Sequence, residues 1–225
     1  KAMLLIGSPM CSAFSQLQTL NRWSTPEVVR DRRLSEARRH LEFCCKLYRM
    51  QMEQGLYFLH EHPRKALSWK EPSISALMKD YRVDTVSGDM CMFGMSQVEH
   101  GRTVAVKKPT TFMTNASGIA WRLNRQCKKV HQHLSLIGGK AKRAEIYPDD
   151  LCCEIIRGLI DTMKDEGRLR ETAVGCVFAV EEYERQVEVM YWDDITGMPL
   201  DVHVIRFRTK WTQPLKNSMG TPGKD

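Results

Sequence analysis

Leu4-Leu5-Ile6-Gly7-Ser8-Pro9-Met10-Cys11-Ser12-Ala13-Phe14-Ser15 decides how this chain reads. An apolar run ends abruptly in Gly-Ser-Pro, and a cysteine sits just past the break. Such a run, closed by Gly and Pro, predicts a buried strand over Met3–Ile6 that ends in a loop. In an α/β sheet the carboxyl ends of the strands are where ligands bind. A thiol placed there is well suited to act as a nucleophile at neutral pH. The alternative for Cys11 is a small buried hydrophobe, one of eight cysteines.

Downstream, apolar periodicity predicts alternating strands and helices. A long helix runs from about Pro26 to Gln54, with Leu34, Ala37, Leu41, Cys44, Tyr48 and Gln51/Met52 on one stripe and Gly55 as its stop. Strand Tyr57–Leu59 ends in a polar turn, and helix Ile74–Lys79, strand Asp84–Val86 and a hairpin over 89–106 follow. Strand Thr111–Thr114, helix Ser117–Leu123, an irregular basic segment and a helix over 148–164 complete the pattern. A short helix is expected around Ser15–Arg22. This alternation points to an α/β fold with a mostly parallel sheet and helices on both faces. Beyond it, residues 165–216 form a small α+β appendage with strands over Ala173–Val180 and Gln186–Tyr191. A Gly/Pro/Lys-rich tail, 217–225, is expected to be disordered.

The net charge of +7 and pI near 9.0 favour acidic partners, DNA or RNA first among them. The basic residues cluster: Arg30, Arg32, Arg33, Arg38 and Arg39; Lys107 and Lys108; Arg122, Arg125, Lys128 and Lys129; Lys140, Lys142 and Arg143. Each cluster is equally readable as a solvated face. No apolar run approaches the ~20 residues needed to span a bilayer, so no membrane partner is expected. Adjacent cysteine pairs on predicted helices, Cys44-Cys45 and Cys152-Cys153, suggest a reducing, intracellular setting. Cys127-x3-His131-x-His133 offers three zinc-type ligands, but no fourth is evident at the usual spacing; the alternative is a solvated basic loop.

Gly7-Ser8-Pro9-Met10-Cys11-Ser12-Ala13-Phe14-Ser15 resembles the Pro-Cys loop of the DNA (cytosine-5)-methyltransferases, with Met10 where the family usually has a second Pro. Tyr57-Phe58-Leu59-His60-Glu61-His62-Pro63 resembles the family's Glu-Asn-Val element in its phage-type variants, with Trp69 a few residues on and His62 replacing Asn. Cys91-Met92-Phe93-Gly94, followed by Lys107-Lys108-Pro109-Thr110-Thr111-Phe112-Met113-Thr114-Asn115, is similar to the end of that catalytic domain. Tyr147-Pro148-Asp149-Asp150-Leu151 looks like its returning helix. The likeness covers roughly residues 3–160. It is nearest to methyltransferase-like segments of retroelement polyproteins, notably those of dinoflagellates. Asp193-Asp194-Ile195-Thr196-Gly197-x-x-Leu200 resembles the stretch leading into their reverse-transcriptase region.

The resemblance implies a partial, doubly wound, Rossmann-like methyltransferase sheet over residues 1–164. It implies Cys11 as the nucleophile adding to C6 of a flipped-out cytosine, and Glu61 as the acid or hydrogen-bond donor at N3. Ser12, Lys107, Lys108, Thr110, Arg122 and Arg125 would face the nucleic acid. S-adenosylmethionine is the implied cofactor, yet the family's Gly-rich loop for it has no counterpart: Gly138-Gly139 comes too late and follows only Leu134–Ile137. The expectation is therefore a catalytic half that needs an upstream polypeptide, or a degenerate copy, inactive in isolation. A mobile-element protein of a eukaryote would be nuclear. Three readings stand: the catalytic half of a methyltransferase, a non-catalytic nucleic-acid-binding module, and an α/β scaffold whose matched residues are structural.

Overall fold

A computed structural model of the chain describes residues 2–15, 25–137, 139–169, 185–192 and 199–207. Four strands make the central sheet: β1 (Leu4–Gly7), β2 (Tyr57–Pro63), β3 (Asp84–Asp89) and, after a small hairpin of β4 (Ser96–Glu99) and β5 (Arg102–Ala105), β6 (Pro109–Thr114). The order across the sheet is β1-β2-β6-β3. β1 and β2 pair in parallel, whereas β6 lies antiparallel between β2 and β3. Three strands thus share one direction and β6 opposes them.

The connections explain this mixed sheet. Parallel neighbours need a crossover, usually helical. α1 (Glu27–Glu53) carries the chain from β1 to β2, and α2 (Pro72–Met78) lies between β2 and β3. Between β3 and β6 the chain offers only a hairpin, so β6 returns antiparallel.

Helices cover both faces. Leu41, Cys45, Tyr48 and Met52, spaced four, three and four apart on α1, form a single stripe. That stripe packs with Ile74 and Leu77 of α2 against Phe58 and Met113 of the sheet. The opposite face, with Tyr57, Leu59 and Phe112, is covered by Ile119 and Leu123 of α3 (Ser117–Leu123) and Leu151 and Ile155 of α4 (Asp149–Asp165). Burying four to six such side chains at ~1.5–3 kcal/mol each makes these layers the main stabilising term.

α3 and α4 cross at two glycines. A Cβ on Gly118 would lie 2.4 Å from the Gly158 carbonyl oxygen, and one on Gly158 would lie 2.6 Å from the Ile119 Cα. The Gly118 N–H, one of the first-turn donors a helix cannot satisfy itself, bonds to Thr162 Oγ1 of α4 at 2.9 Å. Nearby, Glu154 of α4 receives Arg122 at 3.0 Å, Arg125 at 2.8 Å and Arg157 at 3.0 Å.

β2 is longer than expected. His60, Glu61, His62 and Pro63 continue the strand, and the first three are buried rather than forming a polar turn. The chain divides into two units, Lys1–Leu169 and Arg170–Asp225. In the second, β7 (Arg185–Trp192) pairs antiparallel with β8 (Pro199–Phe207), a strand that the sequence pattern does not announce. The expected strand Ala173–Val180, the tail 217–225, the helix around Ser15–Arg22 beyond Ser15, and Asp193–Gly197 lie outside the described residues. Among the described residues no helix is long and apolar enough to cross a membrane.

Candidate functional site

Two neighbouring parallel strands end side by side and deliver the Cys11 loop and Glu61 to one place. The loop leaves β1 at Gly7, where a Cβ would fall 1.7 Å from the Tyr48 hydroxyl. Only glycine lets that hydroxyl pass beneath the loop to reach His60 Nδ1 at 2.9 Å. Cys11 starts a short 3-10 turn, Ser12–Phe14, whose Phe14 side chain is buried beside His62. Met10 is 71% exposed. The loop is therefore held by contacts other than a fixed φ at that position.

The contacts come from β2. His62 Nε2 lies 2.7 Å from the Pro9 carbonyl oxygen, which can only accept, so Nε2 carries the proton. Its Nδ1 must then accept from the Ser68 hydroxyl at 2.6 Å. Burial lowers the proton affinity of His62 below the ordinary imidazole value, although the Pro9 carbonyl and the Glu61 charge pull the other way. A neutral His62 thus anchors the loop.

Glu61, one residue earlier, points to the opposite face. Ser8 Oγ donates to its Oε2 at 2.7 Å, and the Tyr147 hydroxyl donates to the same oxygen at 3.1 Å. Lys108 Nζ stands 3.7 Å from Oε1 and donates to the Ala144 carbonyl at 3.0 Å. Oε1 is buried and has no hydrogen-bond partner. Burial of a carboxylate oxygen without a hydrogen-bond donor is costly.

The Cys11 thiol is pushed above its ordinary value by burial and by the Glu61 charge, while the Lys108 charge pulls it down. All three side chains therefore act on one locus. Cys11 is therefore held mainly as the neutral thiol at neutral pH.

The remaining candidates are dispersed. Ser12 is exposed on the Cys11 loop. Lys107 turns away from Glu61 and pairs with Asp89 at 3.5 Å. Thr110 departs from the expectation: it is fully buried and its hydroxyl donates to the Lys108 carbonyl at 3.0 Å, so it shapes the Lys108 turn and faces no partner. Arg122 and Arg125 are likewise drawn into the α3–α4 interface, Arg122 also reaching Asp161 at 2.6 Å. Lys128, Lys129, Lys142 and Arg143 are exposed. Cys127, His131 and His133 converge, with Cys127 Sγ 3.6 Å from His131 Nε2 and 3.5 Å from His133 Nε2.

Sequence reasoning missed Ser8 and Tyr147 as partners of Glu61, and Cys91 beside Cys127. Tyr147 had a signal, since it immediately precedes the Pro that opens α4. In comparisons with known proteins, the chain matches no family model, no curated protein and no solved structure.

Proposed function

We propose that residues 1–169 are a cytosine-5 methyltransferase-like domain of a mobile element, in which Cys11 and Glu61 act together on a cytosine ring. The observation that carries this reading is the orphaned, buried Oε1 of Glu61 beside Cys11, with Lys108 balancing its charge. An aminopyrimidine edge offers the N–H groups that such an oxygen lacks. In the step proposed, the Cys11 thiol gives its proton to the Glu61 carboxylate and the resulting thiolate bonds to C6. The C5–C6 π pair becomes the C4–C5 π bond, the C4–N3 π pair moves onto N3, and N3 takes the proton on from the Glu61 carboxyl. The product is an enamine whose C5 is nucleophilic, with the Glu61 carboxylate restored. The Lys108 charge lowers the cost of the thiolate.

The family's implied cofactor does not fit the described residues. Gly139 lies in an irregular segment rather than at the end of a sheet strand, and no other described residues supply the family's Gly-rich loop. The chemistry available to Cys11, Glu61 and Lys108 therefore stops at the base, with any methyl donor held elsewhere.

A second reading, a catalytically silent nucleic-acid-binding module, is favoured by the raised Cys11 thiol. One experiment separates them. Thiolate addition makes C5 exchange its hydrogen with solvent, with no methyl donor required. The chain incubated with DNA tritiated at cytosine C5 is expected to release tritium to water. Release should rise about tenfold per pH unit below the thiol pKa, and Cys11→Ser should abolish it. No release above the Cys11→Ser background sinks the catalytic reading. DNA binding that persists in that case, weakening steeply with salt as phosphates regain counterions, would establish the silent module. Loss of both leaves the scaffold.

A further inference from the structure

Four potential metal ligands converge just beyond the end of β3. Cys91 lies in the 3-10 turn Met90–Phe93 that directly follows that strand. Cys127, His131 and His133 come from the irregular segment after α3. Their ligand atoms all lie within 4.8 Å of one another. Zinc bonds of ~2.3 Å to sulfur and ~2.0–2.1 Å to nitrogen put the sulfur–nitrogen edge of a tetrahedron at about 3.6 Å. The observed Cys127 Sγ to Nε2 distances, 3.6 Å and 3.5 Å, match that edge. Both imidazoles present the same type of nitrogen, and their ring centroids lie 4.5 Å apart, edge to face.

The surroundings support the ligands as an outer shell does. The Lys129 backbone N–H donates to Cys127 Sγ at 3.3 Å, made possible by Lys129's left-handed φ of 61°. Such a donor stabilises a metal-bound thiolate. Asp89 Oδ2 accepts from the Cys127 backbone N–H at 2.8 Å and fixes the first ligand of the segment. Leu134 N–H donates to the Ala105 carbonyl at 2.8 Å, which holds the His133 end against β5.

We propose that Cys91, Cys127, His131 and His133 form a structural zinc site. An S2N2 tetrahedron selects zinc among common divalent ions. All four vertices come from the protein, so no position is left for water or substrate, and the site is structural rather than catalytic. The metal would tie the end of β3 to the stretch after α3, residues 124–141, whose described residues carry no helix or strand. It would thereby present Lys128 and Lys129 in a fixed arrangement. This proposal is independent of the chemistry at Cys11.

The test uses the full chain purified from zinc-replete cells without chelators. Elemental analysis is expected to find about one zinc per chain, retained in Cys152→Ser and lost in His133→Ala. Cobalt added to the stripped chain is expected to give the strong visible bands of a tetrahedral site and sulfur-to-metal charge transfer from two thiolates. His131→Cys should keep the metal and raise the charge-transfer intensity to that of three thiolates. It therefore remains informative should Cys91 or Cys127 variants fail to fold. Substoichiometric metal in the folded chain, or cobalt showing only weak octahedral bands, overturns the proposal.

Discussion

Gly158→Ala is expected to destabilise the first unit by about 3 kcal/mol, the upper range for overpacking a rigid interface. The sign is opposite to the rule for a glycine inside a helix, where alanine ordinarily adds ~0.5–1 kcal/mol by restricting the unfolded chain. The reason is the crossing with α3: the new methyl would sit 2.6 Å from the Ile119 Cα and 2.7 Å from its nitrogen, both backbone atoms that cannot rotate away. Relief requires the helices to separate, which stretches the Gly118 N–H bond to Thr162 and the Arg122 bridges to Glu154 and Asp161. Gly118→Ala meets the Gly158 carbonyl and should cost a similar amount. Because either methyl alone forces the same separation, the double variant should lose clearly less than the sum. Urea unfolding of the three variants checks this. Additive losses, or a stabilised Gly158→Ala, would show that the helices do not cross as described.

Acid is expected to weaken the chain well before its carboxylates titrate. Burial holds His60 well below the ordinary imidazole value of 6.5, and the neighbouring His62 lowers it further. Its surroundings are Tyr48, His62 and Trp69, and its Nε2 is buried without a partner. The folded state therefore keeps His60 neutral, while the unfolded chain takes up a proton as pH falls through 6.5. Protons bound only by the unfolded state draw the equilibrium toward it. Stability is thus fully present above about pH 7 and declines below 6.5 until the folded imidazole itself is protonated. One such group contributes at most about 1.4 kcal/mol per pH unit in that window, so stability falls as pH drops below 6.5 toward the folded imidazole's own value. His60→Asn keeps an acceptor for the Tyr48 hydroxyl but removes the titration. Its unfolding free energy should fall less than the wild type's between pH 7 and 5. Equal losses would mean that His60 is protonated in the folded chain.

The helices were the most legible part of the sequence, because burial on one side writes a 3.6-residue repeat that survives any context. The stripes on α1 and α4 are examples, and Ser117–Leu123 emerged with both ends as expected. The neighbouring placement of Cys11 and Glu61 was legible for the same kind of reason, since each comes just after an apolar run, and the two runs form neighbouring parallel strands. His60-Glu61-His62 reads as a turn in the sequence because polarity alone suggests solvent. These groups are buried with partners 12, 53 and 86 residues away in the chain, which no local pattern reveals. Arg122 and Arg125 show the same limit: a sequence displays cations but not the Glu154 with which they pair. Cys91 was invisible as a ligand because the turn after β3 meets the segment after α3 only once β6 and the helices have packed.

Adjacent residues of β2 grip adjacent parts of the Cys11 loop from opposite faces of the strand: Glu61 holds Ser8, and His62 holds Pro9. The carboxylate and the cysteine loop consequently form one mechanical part. Shifting β2 by a single residue would put an imidazole where the carboxylate stands and release the loop in the same stroke. A lineage carrying this arrangement has little room to adjust one group without the other. Mutation can preserve the pair or dismantle it, but gradual retuning of one member alone is closed off by the strand itself.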